Sequence, residues 1–512
     1  MIKNLFDEAL EIHKSGNLLK AEDKYRLILK QSPNHPETLH YYGLIFYQRE
    51  DYKKAIDFFS KSILIDHSQH KAFLNRGNAY AFLKNYEKAF QDYDQALKLK
   101  PSFSLVNFNK GKLYLDLKKH EEAKEYFEKC LREDPKNPEA LVNLGIVFSF
   151  LKNYTSAKEK YDKAISLKPD FPEAYSSRGL LYKEIGNSKL AINDFLVGLK
   201  LEKTFINCFN NLLPLLIQTE QLNLLEKNKI NPDFLSKNDL LSSTYLTISK
   251  FIEGNFESSK VYLNHCHNIL EKKGELDKLT EVNKDFVLGF LNFISSLMIN
   301  SNFDKKENLP IINHIGESHC LSFAHKKITL QNKEYIILPK ICFGVKAFHL
   351  GQKTKNIYKN IIKIHLNRTS PNSILFISIG EIDCRLNEGF FVAAKKNNLS
   401  IEKMVEDTVR KFVNFISSNI KNKQIRLFFI NIPAPNFKIN HSAKDKIKLI
   451  TIIQKFNNTL YNYAKKNNFE IIDVYELTSN ESGSSNKLYH CDDKHLGHNI
   501  LGQIEEKLNS IL

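Results

Sequence analysis

Five glycines recur along the first 200 residues at a constant spacing of 34, and this period constrains the fold more than any other feature of the chain. A small residue follows each glycine by twelve positions and another by nineteen, and proline closes three copies at one offset. The grid consists of Gly43, Gly77, Gly111, Gly145 and Gly179, then Ala55, Ala89, Ala123, Ala157 and Ala191, then Ser62, Ala96, Cys130, Ala164 and Gly198, then Pro101, Pro135 and Pro169. An earlier copy with Ala9, Ala21 and Pro33 fits the same grid. A fixed period of this length indicates a repeat protein.

The pattern predicts two antiparallel helices per copy, with small residues where the helices cross. Large apolar residues such as Tyr42, Phe46 and Phe59 then fill the space between helices, and proline ends the second helix because it cannot continue one. One pair cannot bury its apolar face alone, so the copies stack into a superhelix with a concave groove. The pattern resembles the tetratricopeptide repeat. That resemblance implies an all-α superhelix of six copies over residues 1–203, with a protein or peptide partner in its groove.

Three successive copies carry asparagine two positions before the glycine, at Asn75, Asn109 and Asn143. Their position on the first helix predicts that they face the groove as a ladder. An amide offers one acceptor and two donors, which suits bonding to a peptide backbone. The arrangement is similar to the asparagine ladders of O-GlcNAc transferase repeats and of the importin-α class. The alternative is coincidence, since asparagine is common throughout this chain.

From residue 204 to 304 the chain loses the grid but keeps apolar residues at helical spacing, as in Leu240–Ile252 and Glu257–Lys272. We interpret this part as degenerate helical pairs that link the repeats to a further domain. The longest apolar run, Phe286–Ile299, has 14 residues and is too short to span a bilayer, so it is predicted to be a buried helix. The polar stretch 301–309 marks the predicted boundary.

Residues 305–512 alternate short apolar runs with amphipathic stretches. This alternation predicts a parallel sheet sandwiched by helices, with a site at the carboxyl ends of its strands. The predicted strands are Ile311–Ile315, Ile374–Ile379, Ile425–Ile432 and Glu470–Val474, and the predicted helices are Ile401–Ile420, Ala443–Lys466 and His498–Leu508.

Three polar motifs fall at strand ends or before the last helix. Gly316-Glu317-Ser318-His319 follows the first strand, Gly380-Glu381-Ile382-Asp383-Cys384-Arg385 follows the second, and Asp492-Asp493-Lys494-His495 precedes the final helix. In order and spacing they resemble the SGNH (GDSL-type) hydrolases across about 310–512. The resemblance implies a three-layer α/β/α flavodoxin-like fold with a parallel sheet.

The same resemblance implies that Ser318 is the nucleophile, His495 the general base and Asp492 its orienting carboxylate. A serine hydroxyl needs an imidazole to take its proton, and the imidazole needs a carboxylate to fix its tautomer. Gly344 would match the family's oxyanion glycine. Oxyanion or substrate contacts are further expected from Gly380, Asp383, Arg385 and His319.

The motifs depart from the family at two positions. Glu317 replaces the aspartate before the serine, and Ile382 replaces the asparagine that donates to the oxyanion. Loss of one such donor costs about 100- to 1,000-fold in rate. Arg385 or His319 would be the nearest substitutes. Structural roles are the alternatives: Ser318 and Asp492 as helix caps and Asp383 with Arg385 as an ion pair.

The net charge of +16 divides into +6 over residues 1–200, −2 over 201–300 and +12 over 301–512. The last segment would suit an anionic substrate such as an acidic glycan. The lysines are scattered rather than clustered, which argues against nucleic acid. The seven cysteines form no CxxC or CxxH pair, so neither a disulfide framework nor a metal site is expected, and no motif calls for a cofactor. With a charged amphipathic start and no predicted membrane span, the sequence predicts a cytoplasmic protein.

Two functions follow from this sequence. The first is a serine esterase, acting on an O-acylated glycan or a similar ester, that the repeats recruit to a protein partner. The second is a non-catalytic adaptor in which the hydrolase fold is degenerate. A glycosyltransferase is a third idea, but no nucleotide-sugar motif is visible.

Overall fold

The computed structural model of the chain describes residues 2–237, 239–272, 274–299, 303, 308–421, 423–437, 442–492 and 494–512. It has two compact units, Met1–Ser177 and Arg178–Leu512. The unit boundary lies inside the sixth predicted repeat. Asp493 and most of the predicted boundary stretch 301–309 lie outside the described residues.

The first unit is a stack of paired helices, as the 34-residue period predicted. The helices are Ile2–Lys14, Leu18–Gln31, Pro36–Gln48, Tyr52–Ile65, His70–Phe82, Tyr86–Leu99, Ser104–Asp116, His120–Glu133, Pro138–Phe150 and Tyr154–Leu167. Polar caps begin several of them: the side chains of Asp51, Asn85 and Asn153 each accept a backbone N–H from the first turn. The helix Pro172–Glu184 crosses the unit boundary.

The repeating glycines are explained by the partner helix of each pair. A Cβ on Gly111 would lie 2.8 Å from the ring of Phe127, and one on Gly145 would lie 2.6 Å from the ring of Tyr161. Contacts this short exclude any side chain, so each glycine lets an aromatic ring seat directly against the backbone. This is the close helix crossing that the sequence pattern predicted.

The second unit begins with helices whose buried apolar side chains form a large core and a smaller, separate one. They are Ser188–Leu201, Ile206–Gln218, Asn223–Lys227, Pro232–Ser236, Leu240–Ile252, Phe256–Leu270 and Glu281–Ile299, with a short 3-10 turn at Leu276–Lys278. We call residues 206–299 the helical segment. Many of its buried side chains share the large core with those of the α/β part that follows, whereas Leu263 and Val287 belong to the smaller one.

The apolar run Phe286–Ile299 forms a helix, as expected. The helix begins earlier, at Glu281, since the polar residues before the run form its first turn. At 19 residues, it is the one helix among the described residues long and apolar enough to cross a membrane by length and composition. Val287, Phe290 and Phe293 on this helix are buried within the unit, whereas Val282 and Ile299 near its ends are exposed.

The α/β part contains a six-stranded mixed sheet in the order β2-β3-β1-β4-β5-β6. The strands are β1 Ile311–Gly316, β2 Lys327–Leu330, β3 Lys333–Ile341, β4 Ile374–Ser378, β5 Arg426–Ile430 and β6 Glu470–Ile472. Four pairings are parallel, and only β2, at one edge, runs antiparallel to its neighbour β3. The four predicted strands are confirmed within one or two residues at their ends, while the β2–β3 hairpin corrects the prediction of a purely parallel sheet.

Both faces of the sheet carry buried apolar side chains. On one face Ile315, Ile377 and Phe429 share a core with residues of the long helices, and on the other Ile312 and Phe376 pack with residues of the last helix. The helices are Ala347–Gly351, Ile357–Arg368, Glu381–Cys384, Phe390–Asn397, Ile401–Ile420, Ala443–Lys466, Val474–Thr478 and Leu501–Ile511, with 3-10 turns at Ser318–Leu321 and His498–Ile500.

Candidate active site

Three motif loops leave three neighbouring parallel strands at the same edge of the sheet. Ser318 follows β1, Gly344 follows β3 and Gly380 follows β4, and β1 pairs with both β3 and β4. A site at the carboxyl ends of the strands is therefore formed by the loops that the sequence singled out.

A hydrogen-bonded chain joins the three residues assigned to a triad. Nε2 of His495 lies 2.8 Å from Oγ of Ser318, and Nδ1 of the same ring lies 2.7 Å from Oδ2 of Asp492. Oδ1 of Asp492 accepts the backbone N–H of His495 at 2.6 Å and that of Lys494 at 2.7 Å. The Asp-x-x-His spacing places the carboxylate and the imidazole in one turn, so the contact between them is local in sequence. Ser318 lies after the distant strand β1, and the fold brings it to this turn.

The electrostatics of Asp492 suit a carboxylate that stays ionised. Burial alone would raise its pKa, but the hydrogen bond and charge of His495 outweigh burial and hold the pKa well below the usual range. An ionised carboxylate at Nδ1 holds the proton on that nitrogen and leaves Nε2 free to accept the serine proton.

The carboxylate of Glu317 also contacts the serine. Its Oε2 accepts hydrogen bonds from both the backbone N–H and the hydroxyl of Ser318. The hydroxyl carries one hydrogen, so it can donate to Glu317 or to His495 but not to both. The Ser318 N–H is also a donor suited to a developing oxyanion. While Glu317 accepts both hydrogen bonds, neither donor of Ser318 is available to another group.

Asp383 takes a structural position in this arrangement. Its carboxylate accepts the N–H groups of Ala347 at 2.7 Å and Phe348 at 3.2 Å, at the start of the helix Ala347–Gly351. Burial raises the pKa of Asp383 to about 7, although the two N–H bonds oppose this shift. Its neighbour Ile382, where the family's asparagine would stand, is a buried apolar side chain that offers no donor.

Arg385 forms ion pairs with Glu381 and Glu388 instead of with Asp383. Its guanidinium forms a two-pronged pair with Glu381 and a 3.1 Å bond to Glu388, where the sequence suggested Asp383. Burial would raise the pKa of Glu381, but the charge of Arg385 overrides this and lowers it to about 2. A guanidinium held by two carboxylates is a poor substitute for the missing oxyanion donor.

His319 lies beside the triad. Its Nε2 donates to the backbone oxygen of Lys494 at 3.1 Å, and its ring centre is 4.9 Å from that of His495. Burial lowers the pKa of His319, and the charge of His495 lowers it further. With one ring nitrogen already bonded, His319 offers at most its other nitrogen to a substrate.

A cavity of about 30 Å³ lies next to the serine loop, room for roughly two water molecules. Its lining includes Glu317, His319 and Ile382 as well as His314 and Ser322. Nδ1 of His314 and Oγ of Ser322 are buried there without a hydrogen-bond partner. Among the described residues, no group of three or more His, Cys, Asp or Glu side chains is arranged to hold a metal ion.

The helical segment contributes side chains that sequence motifs did not reveal. The ring of Phe293 stacks on the imidazole of His495, with centres 3.9 Å apart and planes 11° apart. Oε1 of the buried Gln218 accepts the N–H of Phe343 at 2.8 Å, next to Gly344. Both come from more than 100 residues away in the sequence, and neither belongs to a recognisable motif.

The three asparagines of the repeats are bonded within the repeats. Nδ2 of Asn75 lies 2.8 Å from Nε2 of His40, and Nδ2 of Asn109 donates to Oδ1 of Asn78 at 2.8 Å. Nδ2 of Asn143 donates to its own helix, at the backbone oxygen of Glu139. Each of these contacts engages one N–H of the amide at most, so a peptide would meet the second N–H and the amide oxygen of each residue, where the sequence suggested two free donors.

Comparison with known protein families gives matches in the repeat region of the chain. Tetratricopeptide-repeat family models match residues 70–103, 106–137, 126–159 and 151–186. No curated protein matches the chain.

Solved structures match over part of this chain and nearly all of their own. PilF of Pseudomonas aeruginosa is 23% identical, with 41% of this chain and 95% of that chain covered at a TM-score of 0.37. A tetratricopeptide repeat protein of Parabacteroides merdae is 18% identical, with 52% and 98% covered at 0.39. YrrB, described as a repeat protein with an unusual peptide-binding site, is 14% identical, with 36% and 95% covered at 0.31. The family matches and the paired-helix geometry together show tetratricopeptide repeats within the N-terminal half of this chain.

Proposed function

We propose that the protein is a serine hydrolase of carboxylic esters whose tetratricopeptide repeats recruit a protein partner. In this proposal residues 305–512 form an SGNH-type domain with a three-layer α/β/α, flavodoxin-like architecture. The observation that carries the proposal is the chain from Ser318 through His495 to Asp492, with contacts of 2.8 and 2.7 Å. Two motifs meet there, although Ser318 and His495 are 177 residues apart in sequence, and they place a hydroxyl, an imidazole and a carboxylate in the arrangement that nucleophilic catalysis uses.

In the proposed reaction His495 takes the proton of Ser318 as the hydroxyl attacks the ester carbonyl. The ester C–O bond then breaks, the alcohol leaves with that proton, and water hydrolyses the acyl-enzyme with the same base. The Ser318 N–H, once Glu317 has moved, and the loop of Gly344 are the proposed oxyanion donors. With Ile382 in place of a donor, the rate should be modest.

The substrate that the charge favours is an anionic, O-acylated glycan, because residues 301–512 carry +12 of the total +16. The partner is proposed to be a protein or peptide in the groove near Asn75, Asn109 and Asn143. We further propose that the protein works in the cytoplasm. No disulfide joins the cysteines, all of which lie in the described residues, and this fits a reducing compartment.

The decisive experiment treats the full chain with a fluorophosphonate probe and a panel of short-chain aryl esters. Ser318→Ala and His495→Ala are each expected to abolish labelling and hydrolysis, by about a millionfold in kcat, because the triad acts as a unit. Asp492→Asn is expected to cost about 10,000-fold. Ser400→Ala is the control, since it removes only the cap of the helix Ile401–Ile420 and lowers stability without touching the site.

Labelling of a residue other than Ser318, or activity that survives in both Ser318→Ala and His495→Ala, would overturn the proposal.

A non-catalytic adaptor is the second candidate. The observation that favours it is Glu317, whose carboxylate holds both donors of Ser318, together with the absence of an asparagine at Ile382. This candidate predicts that the folded wild-type chain is never labelled by the probe. The same experiment therefore separates the two functions.

A further inference from the structure

The catalytic histidine of the proposed hydrolase is covered by an aromatic ring from the helical segment. Phe293 is fully buried on the helix Glu281–Ile299, and its ring lies parallel to that of His495 at 3.9 Å between centres. This is a face-to-face contact, so it excludes water from one side of the imidazole.

Two hydrogen bonds anchor the edges of the imidazole, at Nδ1 and at Nε2. The imidazole can still rotate about its Cβ–Cγ bond, which would tilt the ring out of its present plane and weaken both hydrogen bonds. A flat ring pressed against one face removes that freedom, because tilting would drive the imidazole into Phe293. The lone pair of Nε2 thereby stays aimed at Oγ of Ser318.

The helical segment is held firmly enough to carry this contact. Arg368 donates to the backbone oxygen of Thr219 at 2.8 Å, and His325 donates to that of Phe251 at 3.0 Å. Gln218 accepts the N–H of Phe343 at 2.8 Å, and the rings of Tyr245, Phe286 and Phe290 pack around Phe343. The helix that carries Phe293 is thus held against the α/β part by the packing of Phe286 and Phe290 on Phe343, while hydrogen bonds hold other helices of the segment.

We infer that Phe293 is a positioning residue for His495, and that the helical segment supplies a wall of the active site rather than a connection alone. This inference rests on the proposed hydrolase function. Since Phe293 touches the imidazole and not the substrate, it should act on the chemical step and leave substrate binding unchanged.

The test compares three variants of the full chain. Phe293→Leu keeps an apolar side chain but loses the flat ring, and Phe293→Tyr keeps the ring. Phe251→Leu is the matched control, because Phe251 is equally buried in the same segment and its ring contacts Phe256, Phe303 and His325 instead of the triad. Labelling rate, kcat, KM and melting temperature are measured for each.

We expect Phe293→Leu to lower kcat and the labelling rate by about 10- to 100-fold with KM unchanged. Phe251→Leu should lose a similar amount of melting temperature at wild-type kcat, and Phe293→Tyr should recover most of the rate. A folded Phe293→Leu protein with wild-type kcat would overturn the inference, as would equal rate losses in Phe293→Leu and Phe251→Leu. Failure of the wild-type chain to label Ser318 would instead overturn the proposed function itself.

Discussion

Single residues of the site differ in how well the sequence revealed them. Ser318, Asp492 and His495 could be predicted because each stands in a short motif whose spacing reflects local geometry. Phe293 and Gln218 could not, because an apolar ring and one amide in a helix look like ordinary core residues until the fold places them on the site. The role of Arg385 was also unpredictable, since three carboxylates lie within four residues of it in sequence and only the structure selects Glu381 and Glu388.

Asp383 should make stability depend on pH in a direction unusual for an aspartate. Its pKa is raised to about 7 in the folded chain by burial, whereas an unfolded aspartate titrates near about 4. Between about pH 4 and pH 7 the Asp383 carboxyl therefore holds a proton in the folded protein that it has lost in the unfolded chain. The stability contributed by this group is therefore full below about pH 4 and is lost as pH rises through about 7.

We expect the free energy of unfolding of the wild type, relative to Asp383→Asn, to increase by roughly 1 kcal/mol per pH unit as pH falls from about 7 to 4. Urea denaturation of both proteins at several pH values measures this difference, in which the other titrating groups cancel. Parallel pH dependences in the two proteins would contradict the buried, protonated carboxyl.

At the scale of elements, the sequence was most informative where one period repeated many times. The helices of the first unit follow from the 34-residue grid, and the strands β1, β4, β5 and β6 follow from short apolar runs. The β2–β3 hairpin was missed because its turn, Gln331 and Asn332, lacks glycine although both residues adopt positive φ. The outward-facing residues of β2 and β3 also include lysine, glutamate and threonine, which weakens the apolar signal.

Gly111 provides a sharp test of the helix pairs. Gly111→Ala places a methyl group 2.8 Å from the ring of Phe127, so it should destabilise the first unit by about 1–3 kcal/mol through overpacking. Gly502→Ala is the control, because it lies in the last helix with nothing within 4 Å, and it should stabilise by up to about 1 kcal/mol. Thermal unfolding followed by circular dichroism measures both, and a neutral Gly111→Ala would refute the close crossing.

For the whole molecule, the helical segment belongs with the α/β part. The compact unit extends from Arg178 to Leu512, and the core of this unit contains side chains from both regions. The sequence suggested a linker here because the repeat grid fades after residue 203. The 34-residue pattern ends there because the helices of the segment pack against the sheet and helices of the α/β part, and these do not form a repeating surface.

Two cuts of the chain distinguish these regions. Residues 1–171, which end before the helix that crosses the unit boundary, should fold alone with a largely helical circular dichroism spectrum. Residues 172–512 should fold and keep probe labelling. Residues 305–512 should be unstable, because they lack Phe293 and the other core residues of the helical segment. A 305–512 fragment as stable as 172–512 would show that the segment is dispensable.

The last repeat meets the α/β part at a point where only glycine fits. A Cβ on Gly186 would lie 2.6 Å from the backbone oxygen of Asn356, its φ is +77°, and nearby Asn360 donates to Ser188 at 2.7 Å. Repeat arrays evolve by duplication and loss of whole copies, each of which contacts only its neighbours. In this chain the sixth copy is excluded from that exchange, because its turn is packed directly against the α/β part. We therefore expect the length of the array to change during evolution upstream of this copy, where recombination between copies leaves the Gly186 contact intact.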